Sequence, residues 1–260
     1  MGSGDLATLV RIEDPRGRPL GTGFLTDHQG TLLTGHEVVA GQQGLLLSVP
    51  GGPVRRATAA DITPLPESGL ALVRTAGLAA RPLPLAHRQD IEPGTYVRIS
   101  AHGWREARVL GATAGAALEL AIGTEGAEAL NDGGTAAGGP VLDPATGAVL
   151  AVLGTAAHGD RRAAGHALPI PPLGPLAALF RRNAATVPCY GRDLNAAGIL
   201  ELTATTTGAL DDLPEPRVLD DGAAPVRAVV GTPGTGRTTA LAGIAAARAG
   251  GPAPAPTVWL

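Results

Sequence analysis

Two glycine-rich loops hold the residues of this chain that could do chemistry. The first runs Leu130-Asn131-Asp132-Gly133-Gly134-Thr135-Ala136-Ala137-Gly138-Gly139-Pro140-Val141. Successive backbone amides around Thr135, Ala136 and Ala137 can converge into an oxyanion-type nest, a device that depends on N–H direction and not on side chains. Such a nest would bind a peptide carbonyl or a C-terminal carboxylate. The second loop, Gly231-Thr-Pro-Gly234-Thr-Gly236-Arg237-Thr238, follows the apolar run Val226–Val230, expected to be a strand, and precedes an Ala-rich helical stretch, Ala240–Ala249. Glycines there would let amides approach phosphates, the helix N-terminus would favour their charge, and Thr238 would hold Mg²⁺. Arg237 stands where phosphate loops carry lysine. It keeps the charge, but its guanidinium is larger and planar.

Other chemistries find less support. His28, His36, His87, His102, His158 and His166 have no tight spacing of the kind a zinc site needs, so no metal is expected. A single cysteine, Cys189, excludes an intrachain disulfide framework and a thiolate cluster. All 20 basic residues are arginine, which with the excess of Ala, Gly and Pro reflects GC-rich coding and not function. A net charge of −3 gives no electrostatic reason to expect nucleic acid or an anionic membrane. Arg161-Arg162 and Arg181-Arg182 read as solvated faces. The N-terminus lacks the basic start and apolar run of a secretory signal, and no segment reaches the roughly 18 to 20 apolar residues of a bilayer span. Cytoplasm is the expected location.

The loops must be held by a scaffold, and its pattern is β. Hydrophobic residues make up 44% with only two each of Phe, Tyr and Trp, so Leu, Val, Ile and Ala must build the core. Short apolar runs broken by Gly, Pro, Asp and Asn predict strands over Leu6–Ile12, Leu20–Thr26, Leu45–Val49, Leu70–Arg74, Tyr96–Ile99, Ala107–Leu110, Val141–Asp143 and Ala148–Leu153. Strands of this length with turn signals between them imply an all-β sandwich or barrel pair. Leu173–Arg182 predicts an amphipathic helix, with Leu176, Leu179 and Phe180 on its apolar stripe. Residues 183–224 read as an acidic, Pro- and Thr-containing linker with at most one short element.

Three segments, in order, resemble the motifs of bacterial trypsin-like serine peptidases. Gly21-Thr-Gly-Phe-Leu25 through Thr34-Gly-His36-Glu37-Val-Val39 is similar to the Gly-x-Gly-Phe strand and the turn that carries the triad histidine. Glu67-Ser68-Gly69-Leu-Ala-Leu-Val73 is similar to the segment that carries the triad aspartate. The loop Asn131–Pro140, followed by Gly147–Gly154 and Gly165-His-Ala-Leu-Pro-Ile170, resembles the nucleophile loop and closing strands of HtrA-type proteases. That resemblance spans roughly residues 5 to 175. It implies two antiparallel β-barrels with a short C-terminal helix, in a domain of residues 1–182, with the three motifs meeting between the barrels.

Carried over position by position, the catalytic residues are missing. A triad needs a hydroxyl nucleophile, an imidazole to take its proton and a carboxylate to hold the imidazole. The corresponding positions are Ala137, Glu37 and Gly69. His36 sits one residue early and would serve as a base only if the turn were adjusted. Alternatively, Thr34-Gly-His-Glu37 has the spacing of a capping box, which makes Glu37 a structural cap. The base of a specificity pocket would lie near Asn131 and Asp132.

The second glycine loop gives residues 225–260 the look of an incomplete P-loop α/β segment. This resembles the bacterial arrangement in which a trypsin-like domain precedes a NACHT- or STAND-type NTPase. The leading expectation is therefore an inactive peptidase-fold module that binds a peptide or protein between its barrels, upstream of an NTPase switch. On that reading the barrels need no cofactor, and ATP with Mg²⁺ belongs only to a longer parent protein. An active intracellular serine endopeptidase and an ATP-dependent signalling NTPase are the alternatives.

Overall fold

A computed structural model of the chain describes residues 8–101, 103–113, 117–123, 135–154, 164–208 and 229–250. The chain divides into two units, residues 1–193 and 194–260.

In the first unit, seven antiparallel strands form the N-terminal sheet: β1 (Leu9–Glu13), β2 (Pro19–Leu25), β3 (Thr31–Gly35), β4 (Gly44–Ser48), β5 (Arg55–Thr58), β6 (Ile62–Leu65) and β7 (Leu70–Arg74). Their spatial order is β5-β4-β1-β2-β3-β7-β6. A one-turn helix, α1 (His36–Val39), leaves β3. Six further strands close a C-terminal barrel: β8 (Tyr96–Ser100), β9 (Trp104–Ala112), β10 (Leu118–Ala121), β11 (Pro140–Leu142), β12 (Val149–Leu153) and β13 (Ala164–Pro169), ordered β10-β13-β12-β11-β8-β9. Helix α2 (Pro175–Thr186) follows. Two antiparallel β-barrels, one nearly closed and one closed, are thus the architecture.

Alternation along the strands explains the two cores. In β8 the sequence Tyr-Val-Arg-Ile-Ser buries Val97 and Ile99 and turns the other residues outward, as a strand with one wet face must. The N-terminal core gathers Val10, Ile12, Leu32, Leu45, Leu47 and Val73. The C-terminal core gathers Val97, Ile99, Val109, Leu120, Val141 and Leu153. A third apolar layer joins Phe24, Leu33 and Leu70 of one barrel to Val149 and Val152 of the other, with Leu176 and Leu179 of α2. Strand β12 is buried along its whole length because it serves both layers.

Polar side chains set the joins. Asn183 of α2 is fully buried. Its Oδ1 accepts from Leu85 N (2.8 Å), and its Nδ2 donates to Thr26 O (2.7 Å) and Leu83 O (2.9 Å). One side chain therefore ties the first barrel, the inter-barrel connector and the C-terminal helix together. Beside it, Arg182 donates from Nε to Asp27 Oδ2 at 2.9 Å. Burial raises the Asp27 pKa, but hydrogen bonds from Thr31 and Arg182 more than offset this and hold it below the usual carboxylate range.

Two expectations need correction. Thr34 and Glu37 do not cap a helix: α1 starts at His36 with Gly35 at its N-cap and no side-chain capping bond. The Thr34 hydroxyl is buried and donates instead to Thr22 O at 2.7 Å, because β2 lies alongside. A capping box of that spacing occurs at Thr58 and Asp61. In the second unit, the run Val226–Val230 is not a strand where it is described: Val229 and Val230 have no regular structure, and Val230 is exposed.

That unit contains α3 (Ala196–Gly208) and α4 (Arg237–Gly250). Asn195 starts α3 by accepting Gly198 N on its side chain and Ile199 N on its carbonyl. Residues 232–238 are exposed, Gly234 and Gly236 have φ of 82° and 76°, and α4 begins directly after Gly236.

Candidate functional site

The loops around residues 36, 69 and 137 converge. His36 N donates to Gly69 O at 2.7 Å, and Thr22 N donates to Ala137 O at 2.7 Å. A Cβ placed on Gly138 would lie 3.1 Å from Val38 Cγ2, so α1 packs directly on the Ala137 loop.

Ala137, read from the sequence as the nucleophile position, is only 1% exposed. Its methyl joins the apolar core of the first barrel, among Val38 and Leu32. Loop carbonyls are pinned on both sides: Thr135 O accepts from Thr22 Oγ1 at 2.6 Å, and Ala136 O from Gly139 N at 3.2 Å. Gly138 N donates to Leu153 O at 2.6 Å, which fastens the loop to β12. Gly138 itself has φ of 81°, and a Cβ there would meet Thr22 O and Thr34 Oγ1 at 2.2 Å each. Only glycine fits. The hydroxyls next to Ala137, those of Thr22 and Thr34, both donate to backbone carbonyls.

Glu37 and His36 face different surroundings. Glu37 is exposed at the head of α1, with Oε1 3.8 Å from the Cβ positions of Gly35 and of Gly154, which follows β12. Its carboxylate therefore lies beside the backbone where the end of β3 comes close to the end of β12. His36 lines a separate small cavity of about 210 Å³ with Val39, Ala59, Ile62 and Pro64, all of the first barrel. Its Nδ1 is buried and has no hydrogen-bond partner among the described residues.

Gly69 ends a 3₁₀ turn in the left-handed region, φ 67°. A Cβ there would lie 3.0 Å from Leu168 Cδ1, so a side chain at this position would be both strained and crowded. Ser68 donates to Leu65 O at 3.0 Å. Asn131 and Asp132, read as the base of a specificity pocket, lie outside the described residues.

Beside the Ala137 loop a groove of about 780 Å³ runs between the barrels, lined by Arg11, Pro19, Thr22, Gly52, Ser100 and Thr135 among others. No group of His, Cys, Asp and Glu among the described residues is arranged to hold a metal ion.

Sequence reasoning missed a charged cluster at the far end of β11. Arg88 Nη2 lies 2.5 Å from both Asp143 Oδ2 and Asp193 Oδ2, and Arg192 also donates to Asp143 Oδ2. Burial alone would raise the Asp143 pKa. Arg192, the Ala145 amide and Arg88 overcome that and hold it at about 2. No spacing in the sequence marks these residues as partners, since Arg88 and Asp143 are 55 apart.

Residues 21–152, just over half of the chain, match the family model described as trypsin-like peptidase domain. The chain belongs to that family. Among solved structures, the serine endoprotease from Yersinia pestis is similar with a TM-score of 0.50 at 14% identity, covering 70% of this chain and 68% of that one. An inactive form of the Rv3671c protease of M. tuberculosis is 22% identical over 68% of this chain and 88% of that one, TM-score 0.48. The apo MamO protease domain from Magnetospirillum magneticum is 17% identical over 64% and 94%, TM-score 0.47. Identities this low speak to the fold alone. No curated protein matches the chain.

Proposed function

We infer that this trypsin-like domain binds a peptide or protein segment without hydrolysing it and regulates what its parent protein does next. The carrying observation is Ala137: at the nucleophile position it has no oxygen, and its methyl is buried in the first barrel's core. Glu37 and Gly69 support the same reading: neither position holds an imidazole, Gly69 offers no carboxylate to orient one, and a carboxylate is a far weaker base towards a hydroxyl than an imidazole. Groove and loop remain suited to an extended ligand, whose carbonyls would meet the backbone around Thr135, Ala136 and Ala137. The test is labelling of the full chain with a fluorophosphonate probe. No stoichiometric adduct is expected, and one mapped to any residue of the groove would refute the reading.

We propose that the second glycine loop serves a nucleotide role only together with further parts of a P-loop fold. Gly231, Gly234, Gly236, Arg237 and Thr238 would contact phosphate and Mg²⁺, supported by the exposed loop at the start of α4. Tight binding also needs Mg²⁺ ligands and base contacts from further parts of such a fold. Calorimetry of the present chain with Mg·ATP should therefore show weak binding or none. Low-micromolar affinity lost on Gly236→Ala would overturn that. The reading places the protein in the cytoplasm; no helix among the described residues is long and apolar enough to cross a membrane.

A further inference from the structure

We propose that residues 187–193 form an ionic strap, locked by Arg88 and able to open while both barrels stay folded. This goes beyond the binding role: the lock itself does not depend on it, and only the use given to the lock below rests on that reading. The strap follows α2, whose last turn is closed by Val187 N donating to Asn183 O at 2.8 Å. Its first half is held by burial: Val187 and Cys189 are 3% and 1% exposed. Its second half is a single 3₁₀ turn, Gly191–Asp193, with Gly191 and Arg192 on the surface.

Charge holds that second half. Arg88, on the inter-barrel connector, uses one nitrogen for two carboxylates: Asp143 on the barrel side and Asp193 on the strap side. Thr146 Oγ1 donates to Asp193 Oδ2 at 2.6 Å, and Arg192 returns from the strap to Asp143. The Asp143 and Asp193 side chains are 1% and 10% exposed. Pairs this well covered gain little net stability over an apolar contact, yet losing one partner is costly because a buried charge is stranded. Closure of the turn thus depends on a small set of covered charges, in which Arg88 is the side chain that joins both carboxylates. Elements held by few apolar contacts are the ones that open locally, below the free energy of global unfolding.

Position gives the strap its use. Asp143 directly follows β11, and β11 directly follows the Ala137 loop. The same short strand therefore carries the candidate site at one end and the strap's anchor at the other. Displacement of the loop by a ligand would move Asp143 relative to Arg88, and the point where the chain leaves the domain would be freed.

Hydrogen exchange with peptide-level readout on the full chain tests the lock. In Arg88→Met, exchange over residues 187–193 should accelerate by about tenfold or more, the cost of stranding a buried carboxylate, while β8 and β12 keep their protection. Unchanged exchange in the strap, or loss of protection in strap and β12 together, would overturn the proposal. Should Arg88→Met unfold the domain, Asp193→Asn decides on the same readout. It leaves Arg88 paired with Asp143 and removes charge only from the strap, so acceleration confined to 187–193 supports the lock and its absence refutes it.

Discussion

Replacing Asn183 by alanine should weaken the whole two-barrel unit, not only its helix. The side chain is fully buried and all of its hydrogen-bonding capacity in view serves backbone: one accepted bond from Leu85 N and two donated to Thr26 O and Leu83 O. Truncation leaves an amide and two carbonyls without that partner, each costing about 1–3 kcal/mol when no substitute reaches it. The carbonyls retain other lone pairs, so the amide carries most of the cost, and a net loss of about 3–5 kcal/mol is expected. At roughly 2–4 °C per kcal/mol for a unit of this size, the midpoint should fall by about 10 °C. Urea and thermal unfolding of the full chain by circular dichroism would measure it. Asn183→Asp sharpens the test. It keeps the acceptor for Leu85 N but presents a carboxylate to two carbonyl oxygens, so it should be worse than alanine at pH 7 and recover on acidification as the carboxyl gains a proton to donate. A loss below about 1 kcal/mol for alanine, no more than one ordinary hydrogen bond, would refute the view of Asn183 as the tie between barrels.

Gly138→Ala should be among the most damaging single changes, exceeding about 3 kcal/mol, because a Cβ 2.2 Å from Thr22 O and Thr34 Oγ1 adds to an unfavourable φ of 81°. Thermal midpoints check this, and a shift within 2 °C would contradict it. Ala137→Ser alone, or with Gly69→Asp, should remain unlabelled by fluorophosphonate, since a carboxylate at Glu37 is too weak a base to activate a serine hydroxyl as an imidazole does; the Gly69 change should also lower stability through its φ of 67° and Leu168. Labelling of the single variant would show that His36 reaches the cleft. Acid should loosen the C-terminal barrel through Asp143: its folded pKa of about 2 lies below the ordinary 3.8, so the stabilisation is complete above about pH 4 and lost as pH falls towards 2. Asp27 shifts in the same direction and adds with the same sign. Melting curves from pH 7 to 2 should fall over that window, and in Asp143→Asn the fall should be smaller.

Strands with alternating burial and glycine turns were readable from the sequence because the pattern is local. Leu70–Arg74 appears with the boundaries its residues imply, and Tyr96–Ile99 and Ala148–Leu153 differ by one residue. What the pattern did not single out is equally instructive. Strand β5 buries only Ala57 of Arg-Arg-Ala-Thr, and β6 contains Pro64, which an edge strand tolerates. Both are strands by pairing, not by hydropathy. At the candidate site, residue types at 37, 69 and 137 were visible in the sequence, while the fate of each side chain was not. Thr34 illustrates this: its spacing to Glu37 suits a cap, but an adjacent carbonyl on β2 takes the hydroxyl. Partners brought together by tertiary structure, such as Arg88 with Asp143 and Asn183 with Thr26, leave no local trace.

The bond between Asn183 and Thr26 spans 157 residues of chain, and this distance also has a duration. A ribosome adding about 5–20 residues per second needs roughly 8 to 30 seconds between making the carbonyl and making its donor. For most of that interval, once Arg74 has completed β7, the first barrel is whole in sequence but lacks the helix that packs with Phe24, Leu33 and Leu70. Those side chains lack their cover until that helix has been made. Holding chaperones are therefore expected to engage the nascent chain until α2 emerges, and a pause in decoding upstream of residue 183 would lengthen that window without altering a single contact of the finished protein.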